Sequence, residues 1–111
     1  MKKINELTSI KMTEDFLKDN ELSFLYVSTP DCSTCHAILP KLTELLDQYP
    51  LIQLGHIDAT KVEEVAEKFL ILSAPVLILM INNKEYIREG RFVRFKQLDE
   101  KIRKIYELYS K

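Results

Sequence analysis

Residues 23–46, SFLYVSTPDCSTCHAILPKLTELL, decide how the rest of the chain is read. An apolar run over 23–28 suits a strand buried on both faces. The turn Thr29-Pro30-Asp31 follows, then Cys32-Ser33-Thr34-Cys35, then a helical pattern interrupted by Pro40. Cys32 and Cys35 are the only cysteines of the chain. A strand that feeds Cys-x-x-Cys into the mouth of a helix is the context in which that spacing signals thiol redox chemistry. The first N–H groups of a helix lack intrahelical partners. Those of Thr34 and Cys35 are expected to reach the Cys32 sulfur, and the positive end of the helix dipole adds to their effect. Both favour thiolate over thiol, and the thiolate is the nucleophile. Cys32 is therefore expected to attack and Cys35 to resolve.

Upstream, residues 4–7 form a weak strand candidate, and residues 9–20 contain a short helix. Thr13, Glu14 and Asp15 suit the first turn of that helix, and Phe16 and Leu17 should face inward. Downstream of Cys32, the helix to about residue 49 sets Ile38, Leu42, Leu45 and Tyr49 on one stripe. Pro40 has no N–H for the carbonyl of His36, so a kink is expected there. Residues 52–58 read as a strand. Thr60-x-x-Glu63 reads as a capping box, with Val62, Val65, Ala66 and Phe69 as the apolar face behind it. After Ala74-Pro75 comes a strand over 76–81, then an Asn82-Asn83-Lys84 hairpin turn and a strand over 84–89. A last helix over about 95–109 repeats Phe95, Leu98, Ile102, Ile105 and Tyr109. The order β-α-β-α-β-α-β-β-α implies an α/β fold, a central mixed sheet with helices on both faces and an antiparallel last pair.

The bulk properties narrow the function classes. With 111 residues, 46% hydrophobic, the chain is expected to be one domain over 1–111 that needs no disulfide staples. A net charge of −1 supplies no basic excess for a phosphate backbone, so nucleic acid is not an expected partner. The longest apolar run, 74–81, is too short to span a bilayer, so no membrane partner is expected either. Asn5, Glu6, Thr8, Ser9 and Lys11 break up any signal-peptide core behind Met1-Lys2-Lys3. The expected compartment is the cytoplasm, where a disulfide is usually transient and catalytic.

The chain resembles the thioredoxin family over nearly its whole length. The resemblance is carried by the strand before the cysteines, Cys32-Ser33-Thr34-Cys35, Pro40 eight residues after Cys32, and Ala74-Pro75 before an apolar strand. Asn83-Lys84 and Gly90 also fit. Cys-x-x-Cys alone is moderately specific; joined to a proline about forty residues later it is strong. The resemblance implies the thioredoxin fold, a cis Pro75 facing the cysteines, and an Ala74 backbone that pairs with an extended substrate segment.

Four departures from the family pattern bear on chemistry. Ser33-Thr34 stand where Gly-Pro is usual, and Asp31 where a tryptophan commonly precedes the first cysteine. Asp31 puts a negative charge beside Cys32 and disfavours its thiolate. The family's buried acid and its lysine partner correspond to Tyr26 and Leu54. Losing both together is physically sensible, because a lone buried charge is costly. It also removes the usual proton acceptor for Cys35, leaving His56 or Asp58, on the same face as Leu54, as replacements. Tyr26 is expected in the core with its hydroxyl on a partner such as Asp58. His36 is a solvated helix residue that could tune Cys32 electrostatically. A zinc site from Cys32, Cys35, His36 and His56 has the ligand count but lacks a second close-spaced pair.

The expected activity is therefore thiol–disulfide exchange, reducing protein disulfides through Cys32 and Cys35, with no cofactor bound to the chain. The resemblance suggests a flavin-dependent thioredoxin reductase or a low-molecular-weight thiol as electron donor. The alternative is a redox-inactive module of the same fold that clamps a partner through the Pro75 loop.

Overall fold

Leu22–Ser28 (β2) is buried along its whole length, and the other strands take their places from it. The structure, a computed structural model, describes residues 2–109. β2 pairs in parallel with Gln53–Asp58 (β3) and antiparallel with Val76–Ile81 (β4). Ile4–Glu6 (β1) adds in parallel outside β3, and Lys84–Glu89 (β5) adds antiparallel outside β4. The strand order is β1-β3-β2-β4-β5.

Strand alternation then sorts the core into two layers. Phe24 and Tyr26 face one side of the sheet with Leu54, Leu77 and Leu79, under Ser33–Leu46 (α2) and Phe95–Tyr109 (α4). Leu25 and Val27 face the other side with Ile57, Ile78 and Met80, under Ile10–Asp19 (α1) and Glu64–Lys68 (α3). Both faces of β2 are covered, so a strand with no polar alternation is what the packing requires. On α2 the stripe Ile38, Leu42 and Leu45 is buried; the helix stops at Leu46, and Tyr49 is buried just beyond it.

Two local expectations need correction. α1 begins at Ile10, where the Ser9 hydroxyl caps the Met12 N–H at 3.0 Å, so Thr13-Glu14-Asp15 lie one turn in and Thr13 is buried. The Thr60–Glu63 capping box does not form. Asp58 Oδ1 instead accepts from the Thr60 N–H at 2.9 Å and its hydroxyl at 2.6 Å, and Glu63 makes no side-chain cap. An aspartate two residues before a free N–H competes with the helix for that hydroxyl. At the hairpin, Asn82 and Asn83 take φ of 50° and 65°, the values a two-residue I′ turn needs, and Lys84 is already the first residue of β5.

Gly55 marks where the packing against β3 is closest. A Cβ there would lie 2.6 Å from Leu7 Cδ1 and 3.0 Å from Phe16 Cε2. Gly55→Ala is expected to lower stability by about 1–3 kcal/mol, read as a reduced urea midpoint. An unchanged midpoint would mean that Leu7 and Phe16 move aside at no cost.

Candidate active site

β2 delivers the chain to the turn Thr29-Pro30-Asp31, where the Cys32 N–H donates to the Thr29 carbonyl at 3.2 Å. Cys32 is the N-cap of α2, with extended backbone at φ −92° and ψ 101°. Its sulfur takes the role usually played by a serine or aspartate oxygen, accepting from the Cys35 N–H at 3.1 Å. Of the two donors expected, the structure assigns this bond to Cys35. Cys32 is half-buried and Cys35 only 2% exposed, so an incoming group meets Cys32 first. The two sulfurs are joined in a disulfide, with Cα atoms 5.2 Å apart.

Around this pair the expected tuning residues fall in different places. Asp31 and Ser33 are exposed and Thr34 half-buried. Solvent around the Asp31 carboxylate weakens its influence on Cys32. His36 is exposed, and its Nε2 lies 2.9 Å from the Pro30 carbonyl, which it can only meet as a donor. Tyr26 is fully buried, but its hydroxyl donates to the Cys35 carbonyl and not to Asp58. The reason is position: Tyr26 points up β2 toward the first turn of α2, while Asp58 is occupied by Thr60. Burial pushes the Tyr26 phenol up to about 12. The Thr60 hydrogen bonds hold the Asp58 carboxyl below the usual carboxylate range.

The Ala74–Pro75 peptide bond is cis. Ala74 and Cys32 pack against the same core layer. The segment before it is held at its base, where Arg88 donates to the Phe69 carbonyl at 2.6 Å, and it presents Leu70 and Leu72 to solvent.

Behind the cysteines His56 is tied on both sides. Its Nδ1 is 2.7 Å from a Glu6 carboxylate oxygen and its Nε2 is 2.6 Å from the Ser28 hydroxyl. Register explains the grouping: Glu6 and Tyr26 flank His56 in one row across β1, β3 and β2. Ser28 lies two residues beyond Tyr26, on the same face. The sequence pointed to His56 but to neither Glu6 nor Ser28. Alternation along β2 could have found Ser28; the β1–β3 register that brings Glu6 is written in no local pattern. No group of three or more His, Cys, Asp or Glu suited to a metal ion occurs among the described residues.

The thioredoxin family profile matches residues 3–104. The thioredoxin-like protein YdfQ of Bacillus subtilis (strain 168) is 48% identical over 110 residues, covering 99% of this chain and 98% of that protein. The chain belongs to the thioredoxin family. Solved structures agree on the fold. A thioredoxin from Trypanosoma brucei brucei superposes with a TM-score of 0.84 at 18% identity, covering 95% of this chain and 92% of that one. The Fasciola hepatica thioredoxin gives 0.80 at 22% identity, covering 90% and 97%. Within this thioredoxin-family chain, no helix of the described residues is long and apolar enough to cross a membrane.

Tyr26→Phe deletes the bond to the Cys35 carbonyl and is expected to cost about 1 kcal/mol at neutral pH. The folded-state phenol, at about 12, lies above the unfolded value of about 10. The stability tied to the protonated hydroxyl is then fully present below about pH 10 and lost as pH rises through about 12. Urea midpoints across that window should fall more steeply for the wild type than for Tyr26→Phe. Parallel falls would contradict the buried donor.

Proposed function

We propose that this protein reduces disulfides in other proteins by thiol–disulfide exchange through Cys32 and Cys35. The observation that carries the reading is the asymmetry of the pair. Cys32 is reachable and capped by an amide N–H, whereas Cys35 is buried one turn inside the same helix. In the reduced protein the Cys32 thiolate attacks one sulfur of a substrate disulfide. A bond forms between Cys32 Sγ and that sulfur, the substrate S–S bond breaks, and the departing thiolate takes a proton from solvent. Cys35, deprotonated, then attacks Cys32 Sγ. The second substrate sulfur leaves as thiolate, and the protein ends with the Cys32–Cys35 disulfide, having given two electrons to the substrate.

An extended substrate segment docking along Ala74 and Pro75 would lie beside Cys32, and exposed Leu70 and Leu72 offer apolar contact there. A flavin-dependent thioredoxin reductase or a low-molecular-weight thiol returns the electrons, in the cytoplasm. No step requires a cofactor on this chain. That exposed apolar loop also suits the second reading, a binding module that clamps a partner without turnover.

Insulin reduction by dithiothreitol separates the two. The wild type is expected to accelerate it, Cys32→Ser to abolish the acceleration, and Cys35→Ser to accumulate a covalent mixed disulfide visible by mass. Acceleration that survives in Cys32→Ser would overturn the assignment of roles, and none in the wild type would favour the binding module.

A further inference from the structure

We propose that His56 is the proton acceptor for Cys35, reached through Ser28 and a water-filled cavity and held in its accepting form by Glu6. The proposal rests on the dithiol cycle above and adds the step that cycle leaves open, the removal of the Cys35 proton. A cavity of about 360 Å³ opens behind the cysteines, and Cys35, Tyr26, Ser28 and His56 all line it. Ser28, His56 and Asp58 set polar groups in its wall, and its size admits water, which can carry a proton across the gap.

The hydrogen-bond chain fixes the direction of transfer. The Glu6 carboxylate has no proton to give, so His56 Nδ1 carries the hydrogen of that 2.7 Å contact. Nε2 is then the accepting nitrogen, and the 2.6 Å contact is donation from the Ser28 hydroxyl. A proton leaving Cys35 Sγ passes by water to Ser28 Oγ as the serine's own proton passes to His56 Nε2. The resulting imidazolium has its positive charge against the Glu6 carboxylate. Cys35 thiolate is left to close the disulfide with Cys32, breaking the bond from Cys32 to the substrate. His56 afterwards gives its proton to the departing thiolate or to solvent and ends the cycle neutral, as it began.

The charged and titratable groups around His56 are Glu6 on β1, Tyr26 on β2, Cys35 and His36 on α2, Asp58 at the end of β3 and Lys61 in the turn after it. None of the others suits the task. Tyr26 already donates to the Cys35 carbonyl, and a neutral phenol is no base. Asp58 accepts both Thr60 donors at Oδ1, and those bonds hold its carboxyl below the usual carboxylate range, which makes it a weaker base. Lys61 is cationic, and His36 is turned to the Pro30 carbonyl. The same order of groups activates serine in hydrolases, but here Ser28 is buried at the end of a strand, beside Cys35's cavity.

The test is stopped-flow reaction of the reduced protein with 5,5′-dithiobis(2-nitrobenzoic acid), followed by thionitrobenzoate release. Attack by Cys32 releases the first equivalent and resolution by Cys35 the second. In the wild type the second phase is expected to speed up with rising pH, as the imidazole of the relay becomes free to accept a proton. His56→Asn should lose that limb and slow the second phase at pH 7 by at least about tenfold, below the roughly 100-fold typical of a directly placed base. The first phase should stay within about twofold, since Cys32 does not depend on the relay. Glu6→Gln, a change on an exposed side chain of the edge strand, should also slow the second phase, because the imidazolium formed in the relay loses the carboxylate beside it. A second phase with unchanged rate and pH profile in both variants overturns the relay while leaving the dithiol cycle standing. A wild type that releases no thionitrobenzoate overturns both.

Discussion

The bond from the Cys35 N–H to the Cys32 sulfur is the contact on which the rest of the site depends. A helix must begin with unpaired N–H groups, and here the residue that caps one of them is a cysteine. What makes the cap dependable is the packing on either side of it. β2 is locked between β3 and β4 and buried on both faces, so its end cannot wander. α2 is seated by Ile38, Leu42, Leu45 and Leu46 against the same sheet. The short turn between them has little freedom left, and the Cys32 backbone is held in the extended conformation an N-cap needs. Sequence, sheet and helix thus converge on one sulfur with a fixed donor and an open side.

Polar chemistry in this protein lies at the rim of the core and not within it. Tyr26 and Leu54 occupy the positions where the family's acid and lysine are expected, and both are fully buried. A buried acid without a cation would be costly, and a tyrosine avoids that cost while keeping one hydrogen bond. That bond, to the Cys35 carbonyl, ties β2 to the first turn of α2. Glu6 and His56 carry the row of Tyr26 out to the sheet edge, and the Ser28 hydroxyl meets His56 from the next same-face position on β2. The substitution of apolar or neutral residues for a buried pair and the placement of a histidine at the cavity are parts of one arrangement.

Much of this was legible in the sequence, and the failures have physical causes. Continuous apolar runs in β2 and β4 announced strands covered on both faces, and the paired asparagines announced the turn. The helix from Cys32 follows from its three-and-four spacing, but that spacing runs on to Tyr49, which is buried although the helix has already ended at Leu46. The capping box misled because Asp58, before the motif, competes for the same threonine. The partner of Tyr26 is not legible for a related reason: a side chain's direction along a strand depends on what packs above it. Glu6 and Ser28 stayed hidden because they meet His56 only through strand register. Two of those contacts join residues 28 and 50 positions apart.

The central claim is that Cys32 and Cys35 form one two-electron couple. The most direct measurement equilibrates the protein with graded mixtures of reduced and oxidised glutathione, alkylates all free thiols and weighs the products. The account predicts molecules carrying either no alkyl groups or two, exchanging in a single transition as the mixture becomes more reducing. A pair that stays in one state across all mixtures, or an equilibrium population dominated by singly alkylated protein, would contradict it.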